Sequence, residues 1–270
     1  MLLSVDGLCK TYASFPNPPV QVLHDVSFGL DAGQALGLVG ESGSGKSTIA
    51  KCLMALTRPE QGSITYDGTD VVRARGADLL RFRRDVQMVF QDPYGSLNPR
   101  MTVEELVGEG LLVHRLEPTP AARRDRVAEI LRTVGLNPDD RGRYPRSFSG
   151  GQRQRIAIAR ALAVQPRILV CDEPVAALDV SVQAQVINLL QDMQRQFGLA
   201  ILFIAHDLAV VRHLCERIVV LHKGRVVEQG TRAEIFGSPR EAYTRALLDA
   251  VPVPDPAVGR ARRRQLQHQS

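Results

Sequence analysis

Two kinds of hydrophobic pattern take turns along this chain. Residues 2–8 and 20–30 alternate apolar with polar positions, with Val20, Val22, Val26, Phe28 and Leu30 marking the second stretch. A period of two is the signature of antiparallel strands with one buried face. Ser14–Pro19 between them reads as a Pro/Asn-rich loop. Ser63–Tyr66, followed by Asp67-Gly68, reads as a further strand and turn. Elsewhere the apolar runs are short and unbroken: Ala35–Val39, Val86–Phe90, Arg167–Cys171, Ala200–Ala205 and Arg217–Leu221. Such runs suit strands of a parallel sheet buried on both faces. Helical spacing fills the intervals at Ser47–Leu56 (Ile49, Leu53 and Leu56 on one face), Ala77–Arg84 and Ser181–Phe197. Three helical stretches, Val103–Val113, Ala121–Val134 and Gly151–Ala163, follow one another with no strand between them. The pattern therefore predicts an α/β fold: a mostly parallel sheet, an antiparallel β subdomain, and a helical lobe inserted at about 92–165.

The junction between Ala35–Val39 and the first helix carries the strongest chemical signal. Gly40-Glu41-Ser42-Gly43-Ser44-Gly45-Lys46-Ser47-Thr48 satisfies G-x-x-x-x-G-K-[ST] between a strand and a helix, the context a phosphate loop requires. Glycines let such a backbone fold around an anion, and its N–H groups together with the helix N-terminus offer partial positive charge. Lys46 adds a full charge at the β/γ end, and the Ser47 hydroxyl is placed to ligate Mg2+. This predicts a P-loop NTPase core that binds a nucleoside triphosphate with Mg2+.

At 270 residues, 44% hydrophobic and 23% charged, the chain can hold one large α/β domain with a smaller lobe. We place that domain at 1–250, followed by a tail, 251–270, that is Pro-rich, then basic, and reads as disordered. Of the net charge of +5, four units are Arg260, Arg262, Arg263 and Arg264 in the tail. The body is thus nearly neutral, which argues against nucleic acid as a partner. No apolar run approaches the roughly 20 residues a membrane helix needs. Met1–Asp6 has no basic start or apolar h-region, so a secretory leader is not expected. Cys9, Cys52, Cys171 and Cys215 are scattered without a C-x-x-C pair and read as reduced thiols.

Four further sites gain meaning from their position. Ile168–Cys171 ends in Asp172-Glu173, and ligands of parallel sheets sit beyond strand carboxyl ends. Asp172 can there reach hydrated Mg2+, and Glu173 the water that attacks the γ-phosphate. His206 follows Ala200–Ala205 in the same way and can hold that water in line. Gln91, at the end of its own strand, can ligate Mg2+ and contact the water. Ser149 caps a helix opened by Gly150-Gly151 before Gln152, a second anion-seeking helix end. Because it lies on the other lobe, each copy of the chain is expected to complete the nucleotide site of a neighbour.

The ordered set Gly40–Thr48, Gln91, Phe148-Ser149-Gly150-Gly151-Gln152, Asp172-Glu173, Ala177-Leu178-Asp179 and His206 resembles the ATP-binding subunit of ABC transporters, across about residues 2–235. The resemblance implies that Tyr12 stacks on adenine and that Ser149–Gln152 grips the γ-phosphate across a dimer. It also implies that Asp179 lies in a loop signalling between two sites, and that the helical lobe with Gln91 touches membrane subunits. Phe90–Arg100, Asp179–Gln185 and Tyr243–Leu248 look like the oligopeptide/dipeptide/nickel importer subfamily. Ala176 stands where that subfamily usually has Ser, and Glu241 where a His usually precedes Pro-Tyr. This second resemblance implies an ATPase that energises an importer of peptides or a related small solute such as nickel, on the cytoplasmic face of the cell membrane (the inner membrane in a Gram-negative cell). Its implied partners are two permease chains, a solute-binding protein and a second cassette, identical or paralogous. The alternative is a soluble ABC-type ATPase acting on nucleic acid or ribosomes, whose kind usually carries a long coiled-coil insertion or two cassettes in one chain.

Overall fold

The structure is a computed structural model that describes residues 1–14 and 17–250. The tail 251–270, expected to be disordered, lies outside the described residues. The chain begins with β1 (Leu3–Ser14), β2 (Asn17–Leu30), β3 (Ala35–Val39), α1 (Lys46–Leu53), β4 (Gln61–Tyr66), β5 (Thr69–Asp70), α2 (Gly76–Asp85) and β6 (Val86–Val89). A run of helices follows: α3 (Pro93–Ser96), α4 (Val103–Val113), α5 (Pro120–Thr133) and α6 (Gly150–Leu162). It then returns to β7 (Ile168–Asp172), α7 (Val180–Phe197), β8 (Ala200–Ala205), α8 (Leu208–Leu214), β9 (Arg217–His222), β10 (Arg225–Thr231), α9 (Arg232–Gly237) and α10 (Ala242–Asp249).

Six strands form one sheet in the order β10-β9-β3-β8-β7-β6, parallel except for β10. The unbroken apolar runs have a direct cause. In β3, Ala35 and Val39 enter one core while Leu36 and Leu38 enter a second on the opposite face. In β8, Ile201, Phe203 and Ala205 face the first core, and Ala200, Leu202 and Ile204 the second. The first core is closed by α4–α8 and the second by α1 and the antiparallel sheet β2-β1-β4-β5. Side chains alternate between faces, so a strand covered on both sides is apolar at every position.

The parallel register brings strand ends together. Val39 pairs with Ala205 and Val220, Asp172 with Ile204, and Val89 with Cys171. The residues that follow, Gly40, Gln91, Glu173 and His206, therefore emerge along one edge of the sheet.

Several expectations need correction. Of the expected loop Ser14–Pro19, Phe15 and Pro16 lie outside the described residues, while Pro18 and Pro19 lie in β2 rather than in a loop. β2 is the outer strand of its sheet, where a proline without an N–H is tolerated. Helix α1 stops at Leu53, and Ala55 takes a left-handed φ of 53°. Leu56 is therefore not on the buried face but 63% exposed. Phe90 falls outside β6 and is exposed. β10 and α8 carry no strong period of their own and were missed.

Candidate nucleotide site

Gly40 sits where no other residue fits: a Cβ there would lie 2.1 Å from the Leu221 carbonyl oxygen of β9. The loop then turns through Gly43 and Gly45, both at positive φ, into α1. Its far side is fixed from outside, because Gly224 N–H donates to Ser44 O at 2.9 Å. The Lys46 side chain is only 4% exposed, and its ammonium donates to Gly40 O at 2.7 Å and Glu41 O at 2.9 Å. Burial lowers its pKa, while Glu173 and Asp172 pull it back up. The Ser44 hydroxyl is buried with no protein partner. A curled glycine loop with an interior cation and an orphaned hydroxyl fits a phosphate chain.

The acids converge on that loop. Ser47 Oγ lies 3.5 Å from Asp172 Oδ1. Burial raises the Asp172 pKa, and the contact with Ser47 opposes the rise. A hydroxyl and a carboxylate are hard oxygen donors, the set that suits Mg2+. Beside them Glu173 receives three groups: Lys46 Nζ at 3.8 Å, Gln91 Nε2 at 3.2 Å and His206 Nδ1 at 3.1 Å. Glu173 itself adopts φ 46°, with its N–H held by Ile204 O at 2.9 Å. A left-handed non-glycine residue costs of order 1 kcal/mol and clusters at working sites. Nothing in the residue string signals it.

The second helix tip stands elsewhere in the chain. Ser149 Oγ accepts from Gln152 N–H at 3.3 Å, and Gln152 Oε1 accepts from Ser149 N–H at 2.9 Å, a reciprocal capping box. Gly151 has a packing reason as well as an electrostatic one, since a Cβ there would lie 2.5 Å from Val182 Cγ1 of α7. Asp179 caps α7 through Val182 N–H at 2.9 Å, and the backbone hydrogen bond lowers its pKa. Gln183 donates to Val175 O and Leu178 O; it stiffens the loop after Glu173, a role the sequence reading missed. From the other end of α6, Arg160 donates to Ser96 O at 2.6 Å and so anchors the turn after Gln91.

Tyr12 stands apart from this cluster. It lies on the β1–β2 hairpin opposite Val20, 38% exposed, with the Lys10 ammonium 5.2 Å from its ring centre. Tyr243 was missed as well: from α10 its hydroxyl accepts from Glu41 N–H in the phosphate loop at 3.1 Å. All four cysteines are free thiols, and none joins this cluster.

These features agree with comparisons to known proteins. Residues 23–176 match the family model described as ABC transporter, and residues 227–270 that of the oligopeptide/dipeptide transporter C-terminal region. The oligopeptide transport ATP-binding protein OppF of Bacillus subtilis is 49% identical over 265 residues, covering 98% of this chain and 87% of the relative. OppF of Streptococcus mutans is 48% identical over 261 residues, covering 97% and 85%. The dimeric ATP-binding cassette MJ0796 bound to ADP and Pi superposes with a TM-score of 0.77 at 31% identity, over 85% of this chain and 98% of that one. The chain belongs to the ABC transporter family, as an ATP-binding cassette that also carries the C-terminal region of the oligopeptide/dipeptide branch.

Proposed function

We propose that this cassette binds and hydrolyses Mg-ATP between two protomers and so drives a membrane importer of oligopeptides or dipeptides. The observation that carries the reading is the convergence of Lys46, Gln91 and His206 on Glu173 beside the phosphate loop, in one chain. The Lys46 ammonium lies inside the loop, donating to two of its carbonyls. The same ammonium would donate to β- and γ-phosphate oxygens, which accept more strongly than neutral carbonyls. Ser47, Asp172 and Gln91 are the residues that would hold Mg2+, which neutralises charge on the transferred phosphoryl group. Glu173 takes the proton of the attacking water, and His206 positions that water against the γ-phosphate. The Ser149–Gln152 helix tip of a second cassette closes the far side of the nucleotide. Tyr12 supplies a face for adenine from the exposed hairpin.

Among the described residues no helix is long and apolar enough to cross a membrane. Permease chains provide the channel and hold the cassette at the cytoplasmic face, with a solute-binding protein delivering cargo. The second cassette is an identical copy or a paralogue. The relatives' names, all of transport proteins, favour this over a soluble ATPase acting on nucleic acid. The test is reconstitution in vesicles with the co-purifying permeases and binding protein. Peptide should stimulate ATP hydrolysis and enter the vesicles only with ATP. Hydrolysis indifferent to every peptide offered would contradict the cargo class.

A further inference from the structure

Resting on the nucleotide-site reading, we infer that Tyr243 is a positioning residue for the phosphate loop, through which the C-terminal helix sets the affinity for ATP. Glu41 is the first variable position of the loop, and its backbone N–H is bound from outside the loop. That N–H donates to Tyr243 Oη at 3.1 Å, across 202 positions of sequence. The Tyr243 ring packs on His222 with centres 3.9 Å apart, and His222 follows Leu221, whose carbonyl approaches Gly40. One side chain thus grips the loop entrance at its backbone and at the strand behind it.

The helix bearing Tyr243 is itself fixed. The Glu228 carboxylate of β10 accepts from Arg240 N–H at 2.8 Å and Glu241 N–H at 3.2 Å, just ahead of α10. Thr244, next to Tyr243, is fully buried. Burial raises the Tyr243 pKa, so the group is a neutral phenol that accepts from Glu41 and keeps its own proton. With α10 docked, the Gly40–Ser42 arc is ordered before nucleotide arrives, and less ordering cost falls on binding. A purely structural role would show in stability; a positioning role shows in the loop.

Tyr243→Phe separates the two, since it removes only the hydroxyl and leaves the ring on His222. The full chain in its membrane complex is assayed for KM and kcat with ATP, with thermal unfolding and hydrogen exchange over residues 40–45. Losing one neutral hydrogen bond should raise KM by about three- to tenfold, with kcat within about twofold. Exchange at Glu41 should quicken while the unfolding midpoint holds. Wild-type ATP binding with an unchanged KM and unchanged exchange in the Phe variant would overturn this inference alone. A wild-type complex that binds no ATP, and so matches a Lys46→Ala control, would overturn the nucleotide-site reading and this inference with it.

Discussion

The chain holds two glycine-opened helix tips, and their surroundings differ in kind. The tip of α1 is enclosed: the Leu221 carbonyl blocks one side of Gly40, Gly224 ties Ser44, and Lys46 fills the interior. Two acids, Asp172 and Glu173, stand at its mouth. The tip of α6 is capped by its own Ser149 and Gln152 and packs Gly151 against Val182 of α7, and its exposed Ser149 turns outward. Folding one chain brings a cation and two acids to the first tip and leaves Ser149 of the second exposed. We propose that the tip of α6, whose Ser149 is exposed, acts on a phosphate that another chain holds.

Substitutions at each tip sharpen that contrast. The largest effect is expected from Glu173→Gln, which removes the proton acceptor and keeps the shape. Hydrolysis should fall by about 10²- to 10⁴-fold while ATP affinity stays within a few-fold, as measured by turnover and equilibrium binding. A rate near wild type would show that another group takes the proton. Ser149→Ala at the α6 tip should slow hydrolysis by about tenfold. It should leave ATP binding by the isolated chain unchanged and cost about 1 kcal/mol of stability from the lost cap. Weakened binding to the isolated chain would mean that the two tips serve one intrachain site.

The smallest effect concerns pH. Burial favours the neutral form of Asp172, so its pKa is raised. Its contribution to the stability of the metal-free protein is present below the ordinary carboxylate pKa and is lost as pH rises through the raised value. Mg2+ needs the ionised form and competes with that proton. Half-saturating Mg2+ should therefore rise, by about threefold, on acidification from a higher pH than an unperturbed carboxylate would need. Asp172→Asn should abolish that dependence.

How much was legible in the sequence follows the same division. Spacing between a strand and a helix singled out the phosphate loop, because glycine and lysine positions there answer to backbone geometry within nine residues. Asp172, Glu173, Gln91 and His206 stood out by their places after strands and by the order of the motifs, and parallel register brings those strand ends together. What escaped notice depended on contacts far apart in sequence. The Tyr243–Glu41 bond spans both ends of the chain, and the left-handed φ of Glu173 is held by a strand neighbour. The prolines of β2 looked like a loop because edge position is a property of the sheet, not of the residues. Leu56 looked buried because helical spacing does not announce the left-handed Ala55 that ends the helix.

In the proposed function, ATP is enclosed by two cassettes. Sedimentation of the Glu173→Gln chain, alone and with any cassette that co-purifies, tests it most directly. Mg-ATP should convert single cassettes into particles holding two cassettes and two ATP, and Ser149→Ala added to the same chain should weaken the conversion. A particle with one cassette that hydrolyses ATP at the full rate of the intact complex would contradict it.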